Sequence, residues 1–358
     1  MIIPDTMAGI ELTGHGDFGQ LRYNARIAVP KPPAGEVLIK VLACGINNTD
    51  INTRIGWYAG EIKTATDAAL EGGSPVEAGD WTGQGLAFPR IQGADACGVI
   101  VEVGKGVEPA RTGSRVIVQA CLVSLRQGSF TPWLGSERDG AFAQYVCVPS
   151  ADCHAVTSSL SNAELASIPC AWGTAENLLS RAGAKAGDTV LVTGASGNVG
   201  LAAVQLAKLR HANVIAVCAD DKAQALLRAG ASKTVARDAP LVAVLGENSV
   251  DVVIDVVGGP QWPQLCDLLR PGGRYAVSGA IAGPIVPLDL RKLYLKDLSF
   301  FGCTAQSREG FLRLVALANS GALKPLVAKT FPLHEIVAAQ QAFLSKQHVG
   351  KIIMIPPE

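Results

Sequence analysis

The stretch that most limits what this chain can fold into is Val190-Leu-Val-Thr-Gly-Ala-Ser-Gly-Asn-Val-Gly200, where a short apolar β-run meets a helix through small residues. Residues 190–192 read as a strand. Val199, Ala202, Leu206 and Leu209 then recur at helical spacing, with Lys208, Arg210 and His211 gathered where the helix should end. At the spacing of a dinucleotide-binding turn the small positions are Ala195, Gly197 and Gly200. They predict a tight turn, an opening where phosphate reaches backbone, and close packing of helix on strand. Around them Ser196, Asn198 and Val199 place unpaired N–H groups and the positive end of the helix dipole toward the same anion. A lone glycine turn is weak evidence. Here further apolar runs follow at 214–217, 250–257 and 273–279, a repeated β-α rhythm.

At 358 residues the chain is long for one core, so two domains are expected. Lys+Arg and Asp+Glu are both 31, a balance that gives no general attraction for nucleic acid or an anionic membrane. The apolar residues fall in short runs broken by Gly, Pro or charge, never the span a bilayer helix needs, and the opening Met-Ile-Ile-Pro-Asp-Thr-Met lacks a basic, then apolar, leader. A soluble cytoplasmic protein is the expectation. Nine cysteines are scattered without a C-x-x-C pair, several inside apolar runs, and read as buried reduced thiols.

Upstream, short β-like runs at 8–13, 33–44, 93–103, 114–118 and 142–148 are bounded by turns, predicting a β-rich opening domain. After Pro149 the pattern turns helical: Ser161-Asn-Ala-Glu reads as a capping box and residues 171–182 as a second helix. The β-α rhythm ends near 300–303. A helix over 307–321 and a strand over 351–355 return to the style of the first domain.

Gly35-Glu-Val-Leu-Ile-Lys-Val, Gly98-Val-Ile-Val-Glu-Val-Gly104, Gly140-Ala-Phe-Ala-Gln-Tyr, the glycine turn, Pro271-Gly-Gly-Arg and Val349-Gly-Lys-Ile-Ile occur in an order that resembles the medium-chain dehydrogenases/reductases. The likeness is to their zinc-free quinone oxidoreductase and enoyl reductase branch. It covers essentially the whole chain. It implies an α/β fold: a GroES-like β-rich catalytic domain from residues 1–159 and 303–358, and a Rossmann, doubly wound parallel-sheet cofactor domain over 160–302. The active site would lie in the cleft.

The resemblance also sets expectations for the site. Zinc-dependent members take ligands from positions that match Asn47, Ala94 and Cys170 here. A catalytic zinc wants three ligands from Cys, His and carboxylate, so one soft donor does not make a zinc site. Asp50, Asp95 and His154 could contribute only by rearrangement, and a structural zinc lobe is missing because Cys97 and Cys121 stand alone. No zinc is expected. Residues 47–58, Asn-Asn-Thr-Asp-Ile-Asn-Thr-Arg-Ile-Gly-Trp-Tyr, resemble the Asn-x-Ser-Asp-Ile-Asn-x-x-x-Gly-x-Tyr motif of enoyl reductases. Carried over, Asn47 would sit near the nicotinamide and substrate carbonyl, and Tyr58 would donate a hydrogen bond or proton; the plainer reading of Tyr58 is a rim aromatic beside Trp57. Thr174 matches a threonine that contacts the nicotinamide. Val257 and the Gly279-Ala280-Ile281 backbone would line the carboxamide.

Where NAD-preferring enzymes carry an acidic residue, this chain has Cys218, followed by Lys222, with Arg237 a second cation. NADPH is therefore expected over NADH, although Asp220 and Asp221 intervene. Residues 59–87 form a longer link than small quinone reductases have, rich in acid (Glu61, Asp67, Glu71, Glu77, Asp80), and read either as a lid disfavouring anionic substrates or as a surface excursion. Trp57, Trp133, Trp172 and Trp262 are the aromatics expected to shape the pocket. The implied activity is reduction of quinones or α,β-unsaturated carbonyls. The alternatives are an alcohol dehydrogenase with a remodelled zinc site and a non-enzymatic NADPH-binding protein. A homodimer through the edge strand at 298–303 is implied.

Overall fold

A computed structural model describes residues 2–72 and 85–358. They fall into two compact units: Met1–Ile62, Gly72–Gly173 and Ser307–Glu358 in the first, Lys63–Glu71 and Thr174–Gln306 in the second.

The first unit is built on Glu36–Gly45, whose Val37, Leu38, Ile39, Val41, Ala43 and Cys44 are all buried, as a central strand covered on both faces must be. It pairs antiparallel with Cys97–Val103 and Tyr145–Pro149. At its carboxyl end it meets the last strand, Lys351–Ile355, through Ile353 opposite Gly45 and Met354 opposite Cys44. That register carries Lys351 to the level of Asn47. A second sheet joins Leu21–Ala28, Thr6–Leu12 and Arg90–Ile91. Ile10, Leu12, Ile39, Ile100 and Phe142 belong to the common core.

The Ser161 capping box forms as expected: Ser161 and Glu164 bond each other's backbone around the helix Asn162–Leu165. This helix packs on Glu36–Gly45 and Cys97–Val103 with Leu165 fully buried. The two units divide at Thr174, inside the helix Pro169–Arg181.

The second unit is a six-stranded parallel sheet in the order Lys233–Ala236, Asn213–Cys218, Thr189–Val192, Val250–Asp255, Leu269–Val277 and Ser299–Gly302. The apolar run at 250–257 stops being strand at Asp255, whose Oδ1 accepts the N–H groups of Val257 and Gly258 and turns the chain out of the sheet. The run at 63–71, expected with the first domain, belongs to this unit. The Thr66 N–H donates to the Ile281 carbonyl at 3.0 Å at the start of the helix Thr66–Gly72. Residues 73–84 of the acidic link, with Glu77, Asp80 and Trp81, lie outside the described residues, so the lid reading is carried only as far as this helix. All nine cysteines are unbridged, and eight are buried. Among the described residues no helix is long and apolar enough to cross a membrane.

Candidate active site

The glycine turn joins Thr189–Val192 to the helix Asn198–Leu209. Its tight bend sits one residue earlier than the spacing suggested: Gly194 takes φ +55°, while Ala195 is buried and its N–H donates to Val217 O. A Cβ on Gly194 would press on Val257 Cγ2 at 2.9 Å. Gly197 is exposed at the helix N-cap and offers no capping side chain. Gly200 meets its expectation, since a Cβ there would come within 2.6 Å of Ala195 Cα and push the helix off the strand. The first N–H groups of the helix, at Asn198, Val199 and Gly200, have no partner inside it by geometry. Asn198 Oδ1 is buried without a hydrogen-bond partner. An open turn and unpaired helix N–H groups are what a bound pyrophosphate would satisfy.

At the next strand end, Cys218 is buried, Lys222 half-buried, and Asp220 and Asp221 exposed. Burial pushes the Cys218 thiol up, the two aspartates push it further and Lys222 opposes them, so all three charges converge there. Arg237 instead lies on the exposed surface beside Asp238. Val257 and the 279–283 loop come together, with the Ala282 N–H donating to Val257 O at 2.9 Å and a Cβ on Gly279 only 2.9 Å from Val256 O. Sequence reasoning missed the group that arranges this edge. Asp255, fully buried, accepts from Thr193 Oγ1 at 2.6 Å, Tyr275 Oη at 2.7 Å and the two backbone N–H groups beyond it.

In the first unit, Asn47 caps the helix Asn48–Arg54. Its N–H donates to Asp50 Oδ2 at 2.8 Å, its Nδ2 donates to Asp95 Oδ2 at 2.8 Å, and its Oδ1 accepts from Lys351 Nζ at 2.5 Å. Lys351 Nζ also stands 2.6 Å from Asp95 Oδ2, with both side chains essentially unexposed. The second oxygen of Asp95 accepts the Cys170 N–H at 2.6 Å. Asp50, expected to be structural, also accepts the Gly93 N–H at 3.3 Å. Burial raises its carboxyl to about 7 against the opposing pull of the Asn47 N–H and Lys351. Burial, and after it Asp95, hold the Cys170 thiol in its neutral form, against Lys351. Thr174 is buried one turn further along the same helix.

Tyr58 is half-buried, edge-on to Trp57 at 5.6 Å between ring centres. Burial raises its phenol above the ordinary range; a hydrogen bond to the Asn52 side chain acts the other way, and Cys170 and Asp50 add to the rise. The hydroxyl therefore stays protonated. Thr49 was not singled out in the sequence, yet its Oγ1 is buried without a partner, and Thr49 lines a small pocket with Asp50, Ala94 and Trp133. Of the other tryptophans, Trp172 is buried, and Trp262 packs on Tyr275 and Phe300 in the core of the second unit, so it shapes no pocket.

Residues 33–158 match the profile of the alcohol dehydrogenase GroES-like domain, and residues 198–320 that of the zinc-binding dehydrogenases. A solved structure from Sinorhizobium meliloti 1021, described as a candidate alcohol dehydrogenase, is 43% identical, with a TM-score of 0.90 over 99% of this chain and 98% of that one. The chain is a medium-chain dehydrogenase/reductase. Within this superfamily, the acryloyl-coenzyme A reductase of Metallosphaera sedula is 29% identical over 97% of this chain and 99% of its own length. The quinone oxidoreductase of Lama guanicoe is 26% identical over 98% and 97%. Its relatives and structural neighbours make the chain an NAD(P)-dependent oxidoreductase.

The two groups implied by a medium-chain dehydrogenase/reductase fare differently against these residues. The nicotinamide dinucleotide fits the open turn and the free N–H groups that start the helix. Zinc does not fit. Ala94 has no donor, the Asn47 amide is spent on Lys351 and Asp95, an ammonium stands against Asp95, and Asp50 accepts the Asn47 and Gly93 N–H groups. Asp95 does reach the site without rearrangement, but as the partner of a lysine. His154 lies elsewhere, packed on Phe311.

Proposed function

We propose that the protein is an NADPH-dependent reductase of quinones or α,β-unsaturated carbonyls that works without zinc. The observation that carries this reading is the lysine-held Asn47–Asp95 cluster, which leaves Cys170 as the sole soft donor at the three zinc-ligand positions. In support, Asn198, Val199 and Gly200, with Ser196, would hold the pyrophosphate, and Lys222 would face the 2′-phosphate. Val257, Thr174 and the backbone of Gly279, Ala280 and Ile281 would orient the nicotinamide. When bound, the dinucleotide supplies hydride to the β-carbon of an activated C=C or to the quinone ring.

The chain's own residues then handle the charge left on substrate oxygen. Tyr58, kept protonated and steadied by Asn52, would donate a hydrogen bond to that oxygen or a proton to the product. Thr49 Oγ1 is a second donor of the right kind. Asn47, with both ends of its amide engaged inside the protein, would position this wall and not bind substrate directly.

A second copy of the chain is the partner this reading includes. Ser299–Gly302 is the edge of its sheet, and Ile285, Leu290, Tyr294 and Leu295 lie exposed just before it.

The test is NADPH consumption with a benzoquinone, a naphthoquinone, a 2-alkenal and, in reverse with NADP, a primary alcohol. Quinone or enal turnover by wild type, cut roughly a hundredfold in kcat by Tyr58→Phe, is expected if the phenol serves as proton donor. Turnover confined to the alcohol would refute the reading.

A further inference from the structure

Three strand ends of the second unit meet on one side chain that no contact assigned above to the nucleotide uses. Asp255 closes the strand Val250–Asp255 and is fully buried. Its Oδ1 accepts the Thr193 hydroxyl at 2.6 Å and the N–H groups of Val257 and Gly258 at 2.9 and 3.2 Å, and its Oδ2 accepts the Tyr275 hydroxyl at 2.7 Å. Four donors on two oxygens call for a group that only accepts. Burial, and after it Asp255, keep the Tyr275 phenol protonated.

The donors come from both walls of the nucleotide site. Thr193 follows the strand Thr189–Val192 and stands directly before Gly194, the residue whose φ of +55° bends the glycine turn. Its Oγ1 also accepts the Val256 N–H at 3.2 Å, so the hydroxyl is held from two sides. Val257 and Gly258 begin the opposite wall. There Val257 O accepts the Ala282 N–H at 2.9 Å, the Gly259 N–H donates to Gly283 O at 3.1 Å, and a Cβ on Gly258 would stand 2.9 Å from Gly283 O. Tyr275 belongs to the strand that leads into this loop, and its ring lies 5.8 Å from Trp262 and 5.1 Å from Phe300 between centres. The walls touch as well: a Cβ on Gly194 would meet Val257 Cγ2 at 2.9 Å and Val256 Cγ2 at 3.2 Å.

We propose that Asp255 is a positioning residue that fixes the glycine turn against the wall of Val257 and the 279–283 loop, and so sets where a bound nicotinamide stands relative to its pyrophosphate. The proposal rests on the cofactor placement given above and adds the group that holds its two ends in register. Anchoring the pyrophosphate needs only the backbone of the turn. Placing the nicotinamide for hydride transfer needs turn and wall together, and a misplacement of about 1 Å there costs roughly a hundredfold in rate.

The test separates the two halves of the nucleotide. Asp255→Asn keeps the size of the side chain but turns one acceptor into a donor, so the four donors can no longer all be met. Wild type and variant are titrated calorimetrically with NADPH and with 2′-phospho-ADP-ribose, the same nucleotide without its nicotinamide. The ratio of the two dissociation constants decides. It should move by about tenfold, through weaker NADPH, while 2′-phospho-ADP-ribose stays within about twofold of wild type. Parallel weakening of both ligands would make Asp255 a general support of the fold and overturn the proposal, as would two unchanged constants.

If Asp255→Asn does not fold, Thr193→Val removes the bridging hydroxyl at nearly constant shape and Thr193→Ser keeps it. The ratio should shift in Thr193→Val and return in Thr193→Ser. A shift in both, or in neither, refutes the bridge. Wild-type protein that binds neither ligand would instead strike the cofactor reading itself.

Discussion

The glycine turn and the Asn47 cluster both manage charge, by opposite means. The turn uses backbone from eleven consecutive residues, carries no ionised side chain, and ends in the Asn198, Val199 and Gly200 amides, which have no partner inside their helix. The cluster uses side chains from residues 47, 95 and 351 and pairs its cation and anion internally. The difference shows which charge comes from outside. Backbone N–H groups left unpaired at a helix start welcome an anion, whereas a buried ion pair that satisfies itself has nothing left to offer a cation.

The comparison can be broken at several points. Lys351→Met should do most, because it leaves Asp95 buried and uncompensated; a loss of about 3–5 kcal/mol is expected in denaturant unfolding. An unchanged midpoint would mean that the cluster is not closed. Gly200→Val should leave the first unit intact and raise the dissociation constant for NADPH roughly a hundredfold, close to 3 kcal/mol, as read by nucleotide fluorescence. Smaller still, Lys222→Ala should weaken NADPH by about tenfold and NADH hardly at all, since a single charge-assisted contact to the 2′-phosphate is lost. Equal weakening of both nucleotides would place Lys222 away from that phosphate.

The smallest effect comes from a third way of handling charge, keeping it off. Burial, with Arg308 and Arg111 nearby, holds the His154 ring down to about 4. The ring is neutral in the fold but takes up a proton in the unfolded chain below about pH 6.5. Its contribution to stability is therefore complete above that value and is lost as pH falls from about 6.5 toward 4. His154→Gln should flatten the stability profile in that window, measured by urea unfolding across pH.

These contrasts also explain what could be read from the sequence. The glycine turn and the Ser161 capping box are local, written in consecutive small or polar residues, and lie within a residue or two of their expected places, whereas in the parallel sheet the strand expected from 273 starts at Leu269 and Lys233–Ala236 adds a strand that was not expected. The bend at Gly194 was displaced because spacing marks which residues are small and not which one takes positive φ. Asp255 and Lys351 were invisible for a different reason. An aspartate in a strand or a lysine before an apolar run acquires its role from partners brought by strand pairing, and no short window contains them. The absence of zinc ligands at Asn47 and Ala94 was legible from residue type; the cation standing among them was not. The helix at Thr66 joined the second unit through a backbone bond, which residue identity does not encode.

One measurement bears most directly on the account: the zinc content of protein made in zinc-supplemented medium and purified without chelator, read beside its rate of NADPH-driven quinone or enal reduction before and after chelation. Zinc far below one per chain and a rate that chelation leaves unchanged are expected. About one zinc per chain, with the rate lost on its removal, would contradict it.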